Sequence, residues 1–199
     1  MLLNKNLYIK KLYVVFLKTI LNKYIKSAQL NYNSINFKTS NTNVYNLLLF
    51  LNKHSLGQFK VLVDIICYDS PNSKYRFSII YNLLSIDYNY RIKVLSKIKE
   101  SSPIISTVTA LFPGSGWLER EVWDFFGVYF INNPDLRRIL TDYGFKGYPL
   151  RKDFPLTGFI EVVYDDSEKQ VVYKKLELAQ DFRNFYFKNS WKQNDSFIK

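Results

Sequence analysis

The chain has 199 residues, 47% of them hydrophobic and 23% charged, which suffices for one ordinary globular domain with an appended segment. One cysteine, Cys67, excludes an internal disulfide and a cysteine-built metal site; one histidine, His54, excludes a histidine-rich zinc or di-iron centre and leaves the usual general base nearly absent. The net charge of +11 is uneven, because residues 1–63 hold nine lysines and no acid while residues 64–199 hold 19 basic side chains against 17 acidic ones.

Phe, Tyr, Ile, Asn and Lys are abundant while Gly, Ala, Arg and Pro are scarce, a bias expected of an AT-rich genome such as that of an organelle. A basic, acid-free leader suits an import presequence, an RNA-binding arm or a surface facing acidic partners. A presequence favours Arg and Ser, and this leader has no Arg. No run reaches the ~18 apolar residues of a membrane span. The longest, LYVVFL at 12–17, is bracketed by Lys10, Lys11 and Lys18.

Residues 7–27 predict a basic amphipathic helix with Leu12, Phe16, Ile20 and Tyr24 recurring every four positions. That stripe packs on the helix's own domain or meets a partner protein or membrane surface. Residues 29–39 alternate and predict an edge strand carrying Ile35 and Phe37. Thr42 or Asn43 caps a helix over 44–55, where Val44, Leu47, Leu48 and Leu51 share a face and Gly57 follows. His54 falls in its last turn as a helix-end cation or surface residue.

Three strands follow, over 59–68, 75–84 and 90–99, with polar turns between them. Their inward sets are Phe59, Val61, Val63, Ile65 and Cys67; Phe77, Ile79, Tyr81 and Leu83; and Ile92, Val94 and Ile98. Arg91, Lys93 and Lys97 mark a wet outer face. Residues 117–126 predict a short helix with Leu118, Val122 and Phe125 on one stripe and Arg120–Asp124 as an i,i+4 pair. Irregular Gly/Pro-rich chain runs to 158, then a hairpin pairs 159–164 with 170–176. An aromatic, basic stretch, DFRNFYFKNSW, begins at 181.

The expected fold is α+β: a small domain of helices packed on a mainly antiparallel sheet, then an extended irregular C-terminal segment with a hairpin. The expected divisions are a basic extension at 1–41, a core domain at 42–126 and a docking segment at 127–199.

The acids Glu119, Glu121 and Asp124 read as solvated or ion-paired structural groups, since Glu119 and Glu121 point apart and Arg120 is placed to pair with Asp124. A hydrolase built on Glu121 and Asp124 rests on proximity alone. Gly114 and Gly116 flank Ser115 ahead of a helix, an incomplete anion cradle. No dinucleotide, phosphate-loop, nucleophile-elbow or metalloprotease motif occurs. For an organellar RNA-binding or ribosomal protein, the basic leader and the aromatics count in favour. Against it, residues 119–183 interleave 10 basic with 12 acidic side chains. Asp135 beside Arg137 and Arg138, and Asp153 beside Arg151 and Lys152, read instead as ion pairs within or across a protein interface.

WLEREVWDFFGVYF at 117–130, NPDLRRILTDYGFKGYPLRKDFPLTG at 133–158 and EVVYDD at 161–166 resemble the thirty-kilodalton-type subunit family of respiratory complex I, called NuoC in bacteria. The resemblance runs over about 42–188; the first 40 residues match poorly. It implies an α+β domain with a partner-wrapping C-terminal part, in the hydrophilic arm on the matrix side of the mitochondrial inner membrane. It implies packing against the forty-nine-kilodalton-type subunit of the quinone module, no nucleic acid, and membrane association only through the complex. No cofactor is expected on this chain; FMN, iron–sulfur clusters and ubiquinone are expected on other subunits. Arg120, Asp124, Arg137, Arg138, Arg151 and Asp153 match the family pattern as docking residues, together with Tyr148. Asn133 and Tyr148 stand where the family usually has His before Pro. Tyr148 is expected to fill space at an interface or to reach a hydrogen-bond partner.

Overall fold

The computed structural model describes residues 2–30 and 34–183. It is α+β, as the pattern predicts. Helix α1 (Leu2–Ile20) leads into β1 (Ile25–Leu30) and β2 (Ile35–Thr39). A single 3-10 turn then enters α2 (Val44–Lys53), followed by the long strands β3 (Val61–Asp69), β4 (Phe77–Ser85) and β5 (Tyr90–Ile98). These five strands form one sheet in the order β1-β2-β5-β4-β3, antiparallel except where β2 runs parallel to β5. Short β6 (Ile104–Ser106) and β7 (Tyr129–Ile131) pair in parallel on either side of α3 (Ser115–Phe126). The hairpin β8 (Ile160–Asp165) and β9 (Gln170–Lys175) closes the described chain.

Contacts divide the chain into residues 1–156 and 157–199. The basic leader supplies two strands of the main sheet. Tyr13, Leu17, Leu21, Ile25, Ile35 and Phe37 all belong to the core. Helix α1 is shorter than the predicted 7–27, because Ile25–Leu30 is strand. β2 lies inside the sheet, with β1 at its edge.

In α2, Val44, Leu47, Leu48 and Leu51 are the buried residues, as the heptad-like spacing predicts. The period-2 sets of β4 and β5 are also buried as predicted. In β3 the alternation breaks. The register shifts between Leu62 and Asp64, so Val63 opposes no partner and turns outward, while Ile65, Cys67 and Asp69 point inward. The predicted inward position of Val63 is therefore corrected by a bulge. The aromatic C-terminal stretch lies outside the described residues from 184 onward.

Candidate functional site

Helix α3 organises the site. Gly127 ends it at φ +72°, the left-handed conformation that glycine adopts without a Cβ penalty, and its N–H donates to the Trp123 carbonyl. The helix buries Asp124 completely. Its carboxylate accepts backbone N–H bonds from Ile139, Leu140 and Thr141 at 3.2, 2.8 and 3.0 Å, and the Thr141 hydroxyl at 2.6 Å. Arg138 adds Nη1 at 3.1 Å. Burial alone would raise this carboxyl. The bonds from Thr141, from the Leu140 and Thr141 amides and from Arg138 outweigh it and hold the group at about 2. The 138–141 turn thus wraps one helical carboxylate.

Arg138 does further work in the same loop. Its Nη2 donates to the Gly147 carbonyl at 2.9 Å, and its guanidinium lies 5.0 Å from the Tyr148 ring. The predicted Arg120–Asp124 pair does not form. Arg120 donates Nε to the Arg137 carbonyl at 3.0 Å, stands 4.0 Å from Asp135 and lies over the Trp117 ring at 4.9 Å. Arg137 pairs with Asp135 as expected, at 2.7 Å, but at the surface.

Tyr148 packs within the chain, among Trp123, Arg138 and Arg151. Its ring meets Arg151 at 4.4 Å and Trp123 edge-on at 5.9 Å. It covers Gly127 so closely that a Cβ there would sit 2.5 Å from Tyr148 Cζ and 2.6 Å from Arg151 Nη2.

Arg151 does not pair with Asp153. Its Nε donates to the Phe126 carbonyl at 2.7 Å, and its other flank lies over the Phe77 ring at 5.1 Å. Asp153 instead meets Arg76 at 3.0 Å.

Arg76, which sequence reasoning missed, is the hub of a second anchor. It is buried, binds both oxygens of buried Asp69 at 2.8 and 3.0 Å, and also pairs with Glu100. The Lys152 amide donates to the same Asp69 at 2.8 Å. The Asp69 bond raises the Arg76 pKa further; burial works against Asp69, but Arg76 and the Lys152 amide hold its carboxyl below the usual range. The available signal was positional: Asp69 and Arg76 flank the 70–75 turn of a hairpin, so antiparallel pairing brings them side by side.

Glu119 is also corrected. It is fully buried. It accepts the Thr107 hydroxyl at 2.6 Å, the Val108 amide at 2.8 Å and the Asn133 side-chain amide at 2.8 Å. Burial raises its pKa despite those bonds. The Ser115 hydroxyl joins them at 3.4 Å, so the GSG stretch serves this carboxylate. Asn133 has its own role: its Oδ1 accepts the Asp135 amide at 2.9 Å in a turn around Pro134 while its Nδ2 reaches Glu119.

Between α3 and the wrapped loop lies a pocket of about 510 Å³ lined by Trp117, Arg120, Arg138, Thr141 and Tyr143. Tyr143 is 94% exposed and Trp117 67%. In the 157–183 unit, the hairpin leaves Ile160, Val162, Tyr164, Val171 and Tyr173 exposed, with Val163 exposed on the opposite face. Among the described residues, no group of three or more His, Cys, Asp or Glu side chains is placed to hold a metal ion.

These elements define an anchored loop and, in the 157–183 unit, a hairpin with exposed apolar side chains. The family model described as "Respiratory-chain NADH dehydrogenase, 30 Kd subunit" matches residues 37–160, and the chain belongs to that family. It is 49% identical over 189 residues to NADH-ubiquinone oxidoreductase subunit 9 of Reclinomonas americana, covering 95% of this chain and 92% of the relative. That likeness runs into the first forty residues as well. It is 50% identical over 178 residues to NADH dehydrogenase [ubiquinone] iron-sulfur protein 3 of Beta trigyna, covering 89% of this chain and 92% of that one. A solved structure titled as a trypsin-resistant fragment (1-134) of Nqo5 superposes with TM-score 0.53 at 25% identity, over 63% of this chain and 98% of the fragment.

Proposed function

We propose that the chain is a non-catalytic core subunit of the hydrophilic arm of proton-pumping NADH:ubiquinone oxidoreductase. In this reading it lies on the matrix side of the mitochondrial inner membrane. It scaffolds the quinone-reducing module beside the forty-nine-kilodalton-type subunit and meets the membrane only through the complex. The observation that carries the proposal is the β8–β9 hairpin. An isolated two-stranded hairpin is marginal in water, and this one exposes apolar side chains on both faces. Such a surface calls for a covering partner.

The residues of 1–156 suit a positioning role. Asp124 and Arg76 are committed to holding the 138–153 loop in place, which leaves Trp117, Tyr143 and Leu140 presented outward. Iron–sulfur clusters fall to other subunits in this reading, because a cluster takes several thiolates and Cys67 is single and buried.

Co-purification tests the reading. An affinity-tagged chain is expected to comigrate with NADH-oxidising activity on native gels. Its absence from that band overturns the proposal. Asp124→Ala is expected to lower the amount of assembled enzyme while leaving turnover per complex unchanged; normal assembly with lost turnover points to a catalytic role instead.

A further inference from the structure

Helix α1 carries two apolar stripes, and the sheet takes only one of them. Tyr13, Leu17 and Leu21 face the core, with Leu17 fully buried. The other stripe, Leu12, Phe16 and Ile20, faces solvent at 53, 36 and 51% exposure, beside Val15 at 60%. Spacing of four places its ends about 12 Å apart at 1.5 Å per residue.

This stripe does not stand alone. The Phe16 ring lies 5.8 Å from His54, and His54 stacks on Phe50 of α2 at 4.6 Å. His54 and Phe50 line a groove of about 520 Å³ with Leu49 and Tyr24, and Lys53 stands on its rim. The exposed stripe of α1 thus adjoins the α2 groove where Phe16 meets His54. Soluble chains rarely leave such a patch open without a binding role.

Charge selects the occupant. Every charged side chain that residues 1–63 contribute is a lysine, and Lys53 lines the groove itself. A second copy of this chain would set lysine against lysine. The chain's own residues 184–199 carry Lys188, Lys192 and Lys199 against Asp195, a net positive charge that is a poor match. We propose that the α1–α2 surface docks an acidic amphipathic helix from another subunit of the assembled enzyme. Apolar side chains at i, i+4 and i+8 of that helix would lie along Leu12, Phe16 and Ile20, with Asp or Glu on its flanks meeting the lysines. The inference rests on the chain's place in that enzyme, and it adds a second contact surface remote in sequence from the 138–183 anchors.

The test is photo-crosslinking in the intact complex. Phe16→p-benzoylphenylalanine is introduced into the full chain, the complex is purified by its NADH-oxidising activity, and crosslinked peptides are sequenced by mass spectrometry. The expected adduct is a peptide of a different subunit with net negative charge and apolar residues at helical spacing. Its yield is expected to fall at least tenfold in Leu12→Asp/Ile20→Asp. It is also expected to fall when salt rises from about 0.1 M to about 1 M, where the screening length drops from about 10 Å to about 3 Å. Both substituted positions are exposed, so an unchanged melting temperature of the double variant shows that its fold is intact. Adducts confined to phospholipid or to residues 184–199 of this chain, or a probe left without an adduct, overturn the proposal. Recovery of the chain with the complex separates such a failure from failure of the subunit assignment itself.

Discussion

Arg138 reaches Asp124 at 3.1 Å from fourteen positions away, whereas Arg120, four positions before Asp124 on the same helix, turns to Trp117 and to the Arg137 carbonyl. The helical carboxylate is thereby used to hold a loop and not to pair along the helix. Asp124→Ala leaves three backbone amides, a hydroxyl and a guanidinium without their acceptor. It is expected to cost about 3–5 kcal/mol in urea unfolding. Arg138→Ala leaves the carboxylate four other donors and is expected to cost about 1.5–3 kcal/mol. Equal losses for the two would mean that the guanidinium, and not the amide cage, does the holding.

Arg76, Arg151 and Arg137 are expected to rank by how deeply their contacts are buried. Arg76→Ala strands buried Asp69 and is expected to cost about 3–5 kcal/mol. Arg151→Ala loses ring contacts with Tyr148 and Phe77 and one carbonyl bond, together about 1–3 kcal/mol. Arg137 is 76% exposed and its partner Asp135 45%, so Arg137→Ala is expected to leave the melting temperature of the free chain unchanged. Thermal melts of the three variants give the order directly; a large drop for Arg137→Ala would contradict it.

Gly127 and Tyr148 are predicted to be coupled. Gly127→Ala forces a Cβ into the left-handed region, about 1–2 kcal/mol, and drives it against Tyr148. Adding Tyr148→Ala is expected to recover part of that loss, a non-additivity that two independent sites would not show. Tyr148→His keeps a ring between Arg138 and Arg151, so it is expected to be mild.

Acid sensitivity follows from the two buried carboxyls of α3, with opposite signs. The folded Asp124 carboxyl sits at about 2, below an unfolded value of about 3.9. Its stabilisation is complete above the unfolded value and is lost as pH falls from about 4 toward about 2. The Glu119 carboxyl is raised, so its contribution is complete below about 4.3 and is lost as pH rises through its folded value. Stability against pH is expected to have a shallower acid limb in Asp124→Asn, with the part held by Asp69 remaining, and to flatten on the higher-pH side in Glu119→Gln. Unaltered profiles in both would remove these groups from the account.

Cys67 provides a check on the core. Burial first, and then Asp69, push its thiol up to about 12, against a small opposing effect of Arg151. It is expected to resist iodoacetamide in the native chain at pH 8 and to react at once in denaturant. Rapid native alkylation would mean that β3 opens.

Much of this architecture was legible because a sheet's period of two leaves few alternatives. Phe77, Ile79, Tyr81 and Leu83 are unambiguous, and so is the Val44, Leu47, Leu48 and Leu51 face of α2. Helix α1 was not, since Tyr13–Leu17–Leu21 and Leu12–Phe16–Ile20 have the same spacing and only the sheet selects between them. Val63 misled because a bulge leaves no mark in apolar residues. The docking residues were visible as residue types, but their partners were not. Sequence proximity offered Arg120 to Asp124 and Arg151 to Asp153. Loop closure chose Arg138 and Arg76, contacts set by tertiary folding. Glu119 looked like a surface acid until Thr107, Val108 and Asn133 came together around it.

The central claim is that residues 157–183 exist to be covered by a neighbouring subunit. Hydrogen–deuterium exchange on the full chain, free and within the NADH-oxidising complex, tests it most directly. The β8–β9 amides are expected to exchange at least a hundredfold more slowly in the complex than in the free chain, while those of β4 and β5 change little. Equal exchange of the hairpin in both states would contradict the docking role.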